Sequence, residues 1–196
     1  LKIMGFWIQL GVIGFRMDAV PFVISMKGPG VKKPVEQYDM LRSLREFLQW
    51  RAGDSIILAD ANVLPETDME YFGEDGDRMH MMFNFQVNQN LFYALAAADC
   101  RPLVRALKAT KPRPATAQWG LFLRNHDELD LGRLTEEQRQ RVFTCFGPEK
   151  EMELYEHGIP RRLVAVRPAA YVAVMAAPPH PRALPRRAGR TPPCGR

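Results

Sequence analysis

Three short apolar runs in this 196-residue chain each end in an acid. "IGFRMD" closes on Asp18, "SIILAD" on Asp60 and "QWGLFLRNHD" on Asp127. A fourth run, "MHMMFNF" over 79–85, also reads as a strand. The strand expected first covers Phe15–Val20, after a turn at Gly11 and Gly14. Between the runs, apolar residues recur at helical spacing. Over 35–51 these are Val35, Tyr38, Leu41, Leu44 and Phe47, with Pro34 suited to the first turn and Gly53 to the stop. Residues 2–10, 91–98 and 103–109 read as helices. Thr135 and Gln138 form a capping-box pattern before a helix over 136–146. Loops are expected over 23–34 and between Asp60 and the 79–85 run. Strands alternating with helices predict βαβ units and a parallel sheet, an α/β fold. In such sheets and barrels, sites gather at the carboxyl ends of strands. An unpaired charge inside a core costs several kcal/mol. A charge at the end of a strand can instead face a cleft.

The net charge of +5 belongs to one end of the chain. Residues 1–160 hold 19 Lys and Arg against all 22 acids, a net of −3, while residues 161–196 hold eight arginines and no acid. A basic patch on the folded body, as a nucleic-acid binder needs, is not indicated. The length suits one sizeable core. Residues 1–162 read as that unit. Residues 163–196 are Ala, Pro, Arg and Val with few others, including seven prolines from Pro168 to Pro193. Such a tail packs no core, and reads as disordered or as coding DNA translated out of frame. Cys100, Cys145 and Cys194 share no short spacing, so neither a zinc motif nor a disulfide framework is expected. A reducing, cytoplasmic compartment follows. The apolar N-terminus is too short and mixed to span a membrane and lacks a signal cleavage site. Because the chain opens on Leu1, its natural start is expected to lie further upstream.

Asp18, Asp60 and Asp127 permit glycoside chemistry with retention. One carboxylate attacks the sugar carbon, and another protonates the leaving oxygen and later activates the acceptor. A third can hold hydroxyls and stabilise the developing positive charge. Arg16, two residues before Asp18 on the same strand face, supplies a fixed positive charge that favours the ionised nucleophile. His126 can donate to a sugar hydroxyl. Each residue also has a plain structural reading. An Asp after a strand is commonly a cap or turn residue. An Arg–Asp pair is commonly an ion pair of the scaffold, and a lone His a surface group. Met79, Met81, Met82 and Trp119 read as core.

The motifs "GFRMDAVPF", "ILADANVLPETDMEYFG" and "FLRNHDEL", in this order, resemble those of the α-amylase superfamily, nearest its trehalose synthase-like branch. The resemblance covers about residues 1–162. It implies a (β/α)₈ barrel, of which this chain supplies about strands four to seven. It implies that Asp18 is the nucleophile, that Asp60 stands at the acid/base, and that His126 and Asp127 grip the glucose and stabilise the transition state. Arg16 matches the arginine two residues before the nucleophile. The implied partners are maltose, trehalose or related α-glucosides, with no nucleic acid and no membrane. No cofactor is implied. Some members bind calcium, whose ligands have no assignable positions here.

Two departures qualify the resemblance. "ADAN" places Asp60 where the family has Glu. Its carboxyl is about 1 Å short, a misplacement that can cost ~10²-fold in rate. Glu66 and Glu70 follow too far into the loop to replace it. The barrel is also incomplete: strands one to three would precede Leu1, and strand eight would follow "GIPRRL". An open barrel is expected to be marginal or aggregation-prone. The expected activity is intramolecular glucosyl transfer between maltose and trehalose. An α-glucosidase or amylase-type hydrolase, or an inactive remnant, are the alternatives. The chain as it stands is expected to leave maltose unchanged.

Overall fold

The computed structural model describes residues 1–26, 35–110 and 112–160. The 163–196 tail, Cys194 and the 27–34 part of the expected first loop lie outside these residues. The elements begin with α1 (Lys2–Gln9), β1 (Gly14–Met17), α2 (Val20–Ile24), β2 (Ser25–Met26), β3 (Val35–Glu36), α3 (Tyr38–Arg51) and β4 (Ile56–Ala59). A 3₁₀ turn (Pro65–Thr67) and α4 (Asp68–Phe72) follow. Next come β5 (Met81–Phe83), α5 (Phe85–Ala97), α6 (Arg101–Ala109), β6 (Gln118–Gly120), β7 (Leu129–Asp130), α7 (Glu136–Phe146), a second 3₁₀ turn (Lys150–Met152) and β8 (Gly158–Ile159).

Four strands form one sheet in the order β1-β4-β5-β6, every pair parallel. With helices between them, this is part of a (β/α)₈ barrel, as expected. The register sorts the side chains. Phe15 pairs with Ile57, and Ala59 with Met82, which pairs with Trp119. This face packs on the helices, and Ile57, Ala59 and Met82 are buried. The opposite face carries Arg16 beside Leu58. Against the first face lie Leu41 and Leu48 of α3, Tyr71 and Phe72 of α4, and Met79. Phe72 meets Trp119 edge to face at 5.0 Å. A second core joins Phe92 of α5 to Leu129, Leu131, Leu134, Ile159 and the buried face of α7.

Several expected boundaries move. The first strand stops at Met17. Ala19 turns left-handed (φ 47°) and caps α2, whose first turn takes Pro21. Val20 is therefore buried from a helix rather than a strand. Ile13, the first residue of the apolar run that closes on Asp18, is 75% exposed. The loop expected over 23–34 begins with helix and the short strand β2, which pairs with β3. The loop expected after Asp60 is partly helical. Its helix α4 ends at Gly73 (φ 79°), where any Cβ would collide with Asp77. The run 79–85 keeps three strand residues, because Asn84 turns to cap α5 by accepting from Val87 N at 2.9 Å. Helix α5 accordingly starts six residues before the expected Leu91. The last run leaves the sheet after Gly120, and Leu121 and Leu123 are exposed. The capping box of α7 forms as expected: Thr135 accepts from Gln138 N, and Gln138 accepts from Thr135 N at 3.0 Å. No helix among the described residues is long and apolar enough to cross a membrane.

Candidate active site

Parallel pairing brings two of the three acids to adjacent strand ends. The ladder of β1 and β4 runs on past the sheet. Asp60 N donates to Met17 O at 2.9 Å, and Val20 N donates to Asp60 O at 3.1 Å. Arg16 points from the same end. Its Nη2 bonds Asp60 Oδ2 and lies 2.8 Å from Asp18 Oδ1. One guanidinium nitrogen thus touches both carboxylates. Burial pulls the Arg16 pKa down, but the hydrogen bond and charge of Asp60, with the charges of Asp18 and Asp127, hold it above its ordinary value. The third acid is therefore within electrostatic reach of the same cation.

The carboxylates differ in access. The Asp18 side chain is 71% exposed and that of Asp60 13%. Asp18 is open to solvent, whereas Asp60 has an oxygen turned onto Arg16. A proton donor must point at the oxygen it protonates, so Asp60 would have to release Arg16 to act as one. Asp127 stands on the loop after β6. His126 Nε2 lies 3.3 Å from its Oδ1, and its own N–H donates to Asn125 Oδ1 at 3.2 Å. Arg124 ties this loop to the segment after β8 by donating to Pro160 O at 3.1 Å. The structure thus brings Arg16, Asp18 and Asp60 into contact and pairs His126 with Asp127. Glu70 is exposed and bound to Arg78, so it offers no replacement acid.

Sequence reasoning missed the polar frame around these groups. Asn88 and Gln89 are buried on α5, and Asn62 follows Asp60 by two residues. Asp68 opens α4, and burial pushes its carboxyl up to about 7, with Arg133 opposing and Glu66 adding to the rise. The available signal was a run of amides, Asn84, Gln86, Asn88, Gln89 and Asn90, inside an otherwise apolar stretch. Among the described residues, no three His, Cys, Asp or Glu side chains gather as a metal site.

Carboxylates at the carboxyl ends of parallel strands stand where α/β barrels carry their sites. Residues 1–152 match the model of the alpha amylase catalytic domain, and the chain belongs to that family. It is 41% identical over 164 residues to a trehalose synthase of Thermus thermophilus, covering 83% of this chain and 17% of that protein. It is 36% identical over 166 residues to a protein of Mycolicibacterium smegmatis named trehalose synthase/amylase TreS, covering 83% of this chain and 28% of that one. The chain thus spans less than a third of the length of these relatives. Among solved structures it resembles an alpha-amylase from H. orenii, with a TM-score of 0.52 and 15% identity over 73% of this chain and 27% of that one. That likeness concerns the fold.

Proposed function

We propose that this chain carries the carboxylates of a retaining α-glucosyl-transfer site whose reaction interconverts maltose and trehalose. One observation carries the proposal: Asp18 and Asp60, from adjacent parallel strands, share one nitrogen of Arg16 while Asp18 stays open. The names and similarity of the relatives support the choice of substrate. Asp18 attacks the anomeric carbon of the non-reducing glucose of maltose. The bond to the bridging oxygen breaks, and that oxygen takes its electron pair and the proton of the acid, Asp60. The freed glucose turns, and its anomeric hydroxyl attacks the glucosyl carbon while returning a proton to Asp60. The ester to Asp18 breaks, and trehalose leaves. Asp127, with His126 beside it, holds sugar hydroxyls and offsets the positive charge of the oxocarbenium-like transition state.

A second reading has an observation of its own. Asp18 is largely exposed, so water reaches the glucosyl carbon and hydrolysis competes with transfer. Trehalose among the products that the Asp60→Glu chain forms from maltose separates transfer from pure hydrolysis.

The test uses α-glucosyl fluoride, whose leaving group needs little acid assistance. Asp60 is short and paired, so this chain is expected to release fluoride while leaving maltose unchanged. Asp18→Asn should abolish fluoride release. Release that survives Asp18→Asn, or no release from the unaltered chain, defeats the proposal.

A further inference from the structure

The loop that carries Asp127 is anchored at both ends by buried amides of α5. At its start, Asn88 Nδ2 donates to the carbonyls of Phe122 at 2.8 Å and Leu123 at 2.9 Å. At its far end, the fully buried Gln89 accepts from Arg133 N at 2.9 Å and donates to Asp130 Oδ2 at 3.4 Å. Asp130 Oδ1 also accepts from Gly132 N at 2.8 Å, which closes a tight turn. Leu129, Leu131 and Leu134, beside the far anchor, belong to the second core. Asp60 follows Ala59 of the first core, and Met17 and Arg16 of β1 and Val20 of α2 hold it there.

Asn62 joins the two halves. Its Oδ1 accepts from Arg133 Nε at 2.7 Å, and its Nδ2 donates to Asp130 Oδ2. A neutral amide offers donors on one side and an acceptor on the other. It therefore satisfies a carboxylate and a guanidinium together. An aspartate there would repel Asp130, and an alanine would leave the Arg133 Nε hydrogen without this partner. The bridge lies two residues past Asp60 and three past Asp127. Over so short a path, backbone geometry passes its position on to both acids.

We propose that Asn62 is a positioning residue whose bonds to Arg133 and Asp130 fix where the Asp127 loop stands relative to Asp60. The inference rests on the reading of Asp60 and Asp127 as site carboxylates. Asn62 touches no reacting atom in that reading. It acts by holding the transition-state carboxylate in place, and misplacement by about 1 Å is enough to slow a reaction strongly.

The test compares Asn62→Ala and Arg133→Met with the unaltered chain by two readouts. The first is hydrogen exchange of the 121–130 peptide, with the 87–95 peptide of α5 as internal control. Both variants should quicken exchange at 121–130 at least fivefold and leave 87–95 unchanged. The second is fluoride release from α-glucosyl fluoride. Here kcat should fall about tenfold with KM within about twofold, because the lost interaction serves the transition state. Unchanged exchange at 121–130 overturns the proposal. So does exchange that quickens equally in both peptides, which is a general loss of stability, and so does a raised KM with kcat intact. If the unaltered chain releases no fluoride, the glucosyl reading falls, and exchange still decides whether Asn62 holds the loop.

Discussion

In the proposed reaction, Asp60 is the residue that most sets the rate. Its carboxyl sits where a glutamate would reach one methylene further, and one of its oxygens is engaged by Arg16. Both features work against proton donation to a glycosidic oxygen. Asp60→Glu adds the missing reach and lets the backbone stay where Met17 and Val20 hold it. The substitution should bring maltose turnover from none to a measurable rate, a gain in proton transfer on the order of 10²-fold, and change fluoride release little. Product formation from the two substrates checks this. An equal gain on both would mean that proton donation is not what limits the chain. Arg16 has the complementary task. A guanidinium can serve two carboxylates at once through planar, fixed donors, where an ammonium is a point charge.

At the scale of elements, the sequence was legible where local chemistry and tertiary packing agree. The α7 boundary followed from Thr135 and Gln138, because a capping box is a local device. The parallel order of β1, β4, β5 and β6 followed from alternation with helices. Reading stopped short where one residue serves two elements. Asn84 ends the strand pattern and caps the next helix, so the apolar run concealed the start of α5. Ala19 carries no signal of a left-handed turn, yet its backbone turns there, two residues after β1 ends, and starts α2. Beyond Gly120, Asn88 takes the carbonyls that a longer strand would have placed in the sheet. The contact of Arg16 with Asp18 was readable from their spacing of two. That with Asp60 was not, since it depends on a register spanning 44 residues. The Asn62 bridge is less local still, linking positions 71 apart.

Over the whole molecule, two half-buried groups give stability opposite dependences on pH. Burial pushes the Asp68 carboxyl from 3.8 up to about 7, so between those values the folded state holds more proton than the unfolded chain. Its contribution is full below the lower value and is lost as pH rises through the upper one. Burial, with help from Arg45, pulls His80 from 6.5 down to about 4. Its contribution is full above the unfolded value and is lost as pH falls through the folded one. His80 pays for its neutral state by accepting from Ile57 N at 3.1 Å, a bond lost on protonation. Asp68→Asn should therefore raise the urea midpoint at about pH 8 and give no gain at about pH 4. A gain of equal size at both values would show that Asp68 acts through packing rather than charge.

The central claim is that Asp18 forms a covalent bond to glucose. A 5-fluoro-α-glucosyl fluoride forms the glucosyl ester and slows its breakdown, so the ester accumulates. The most direct measurement is the mass of the chain after incubation with this reagent, followed by peptide mapping. The account predicts one fluoroglucosyl group, on the peptide that contains Asp18, and none on the Asp18→Asn chain. An unlabelled chain, or a label on another carboxylate, would contradict it.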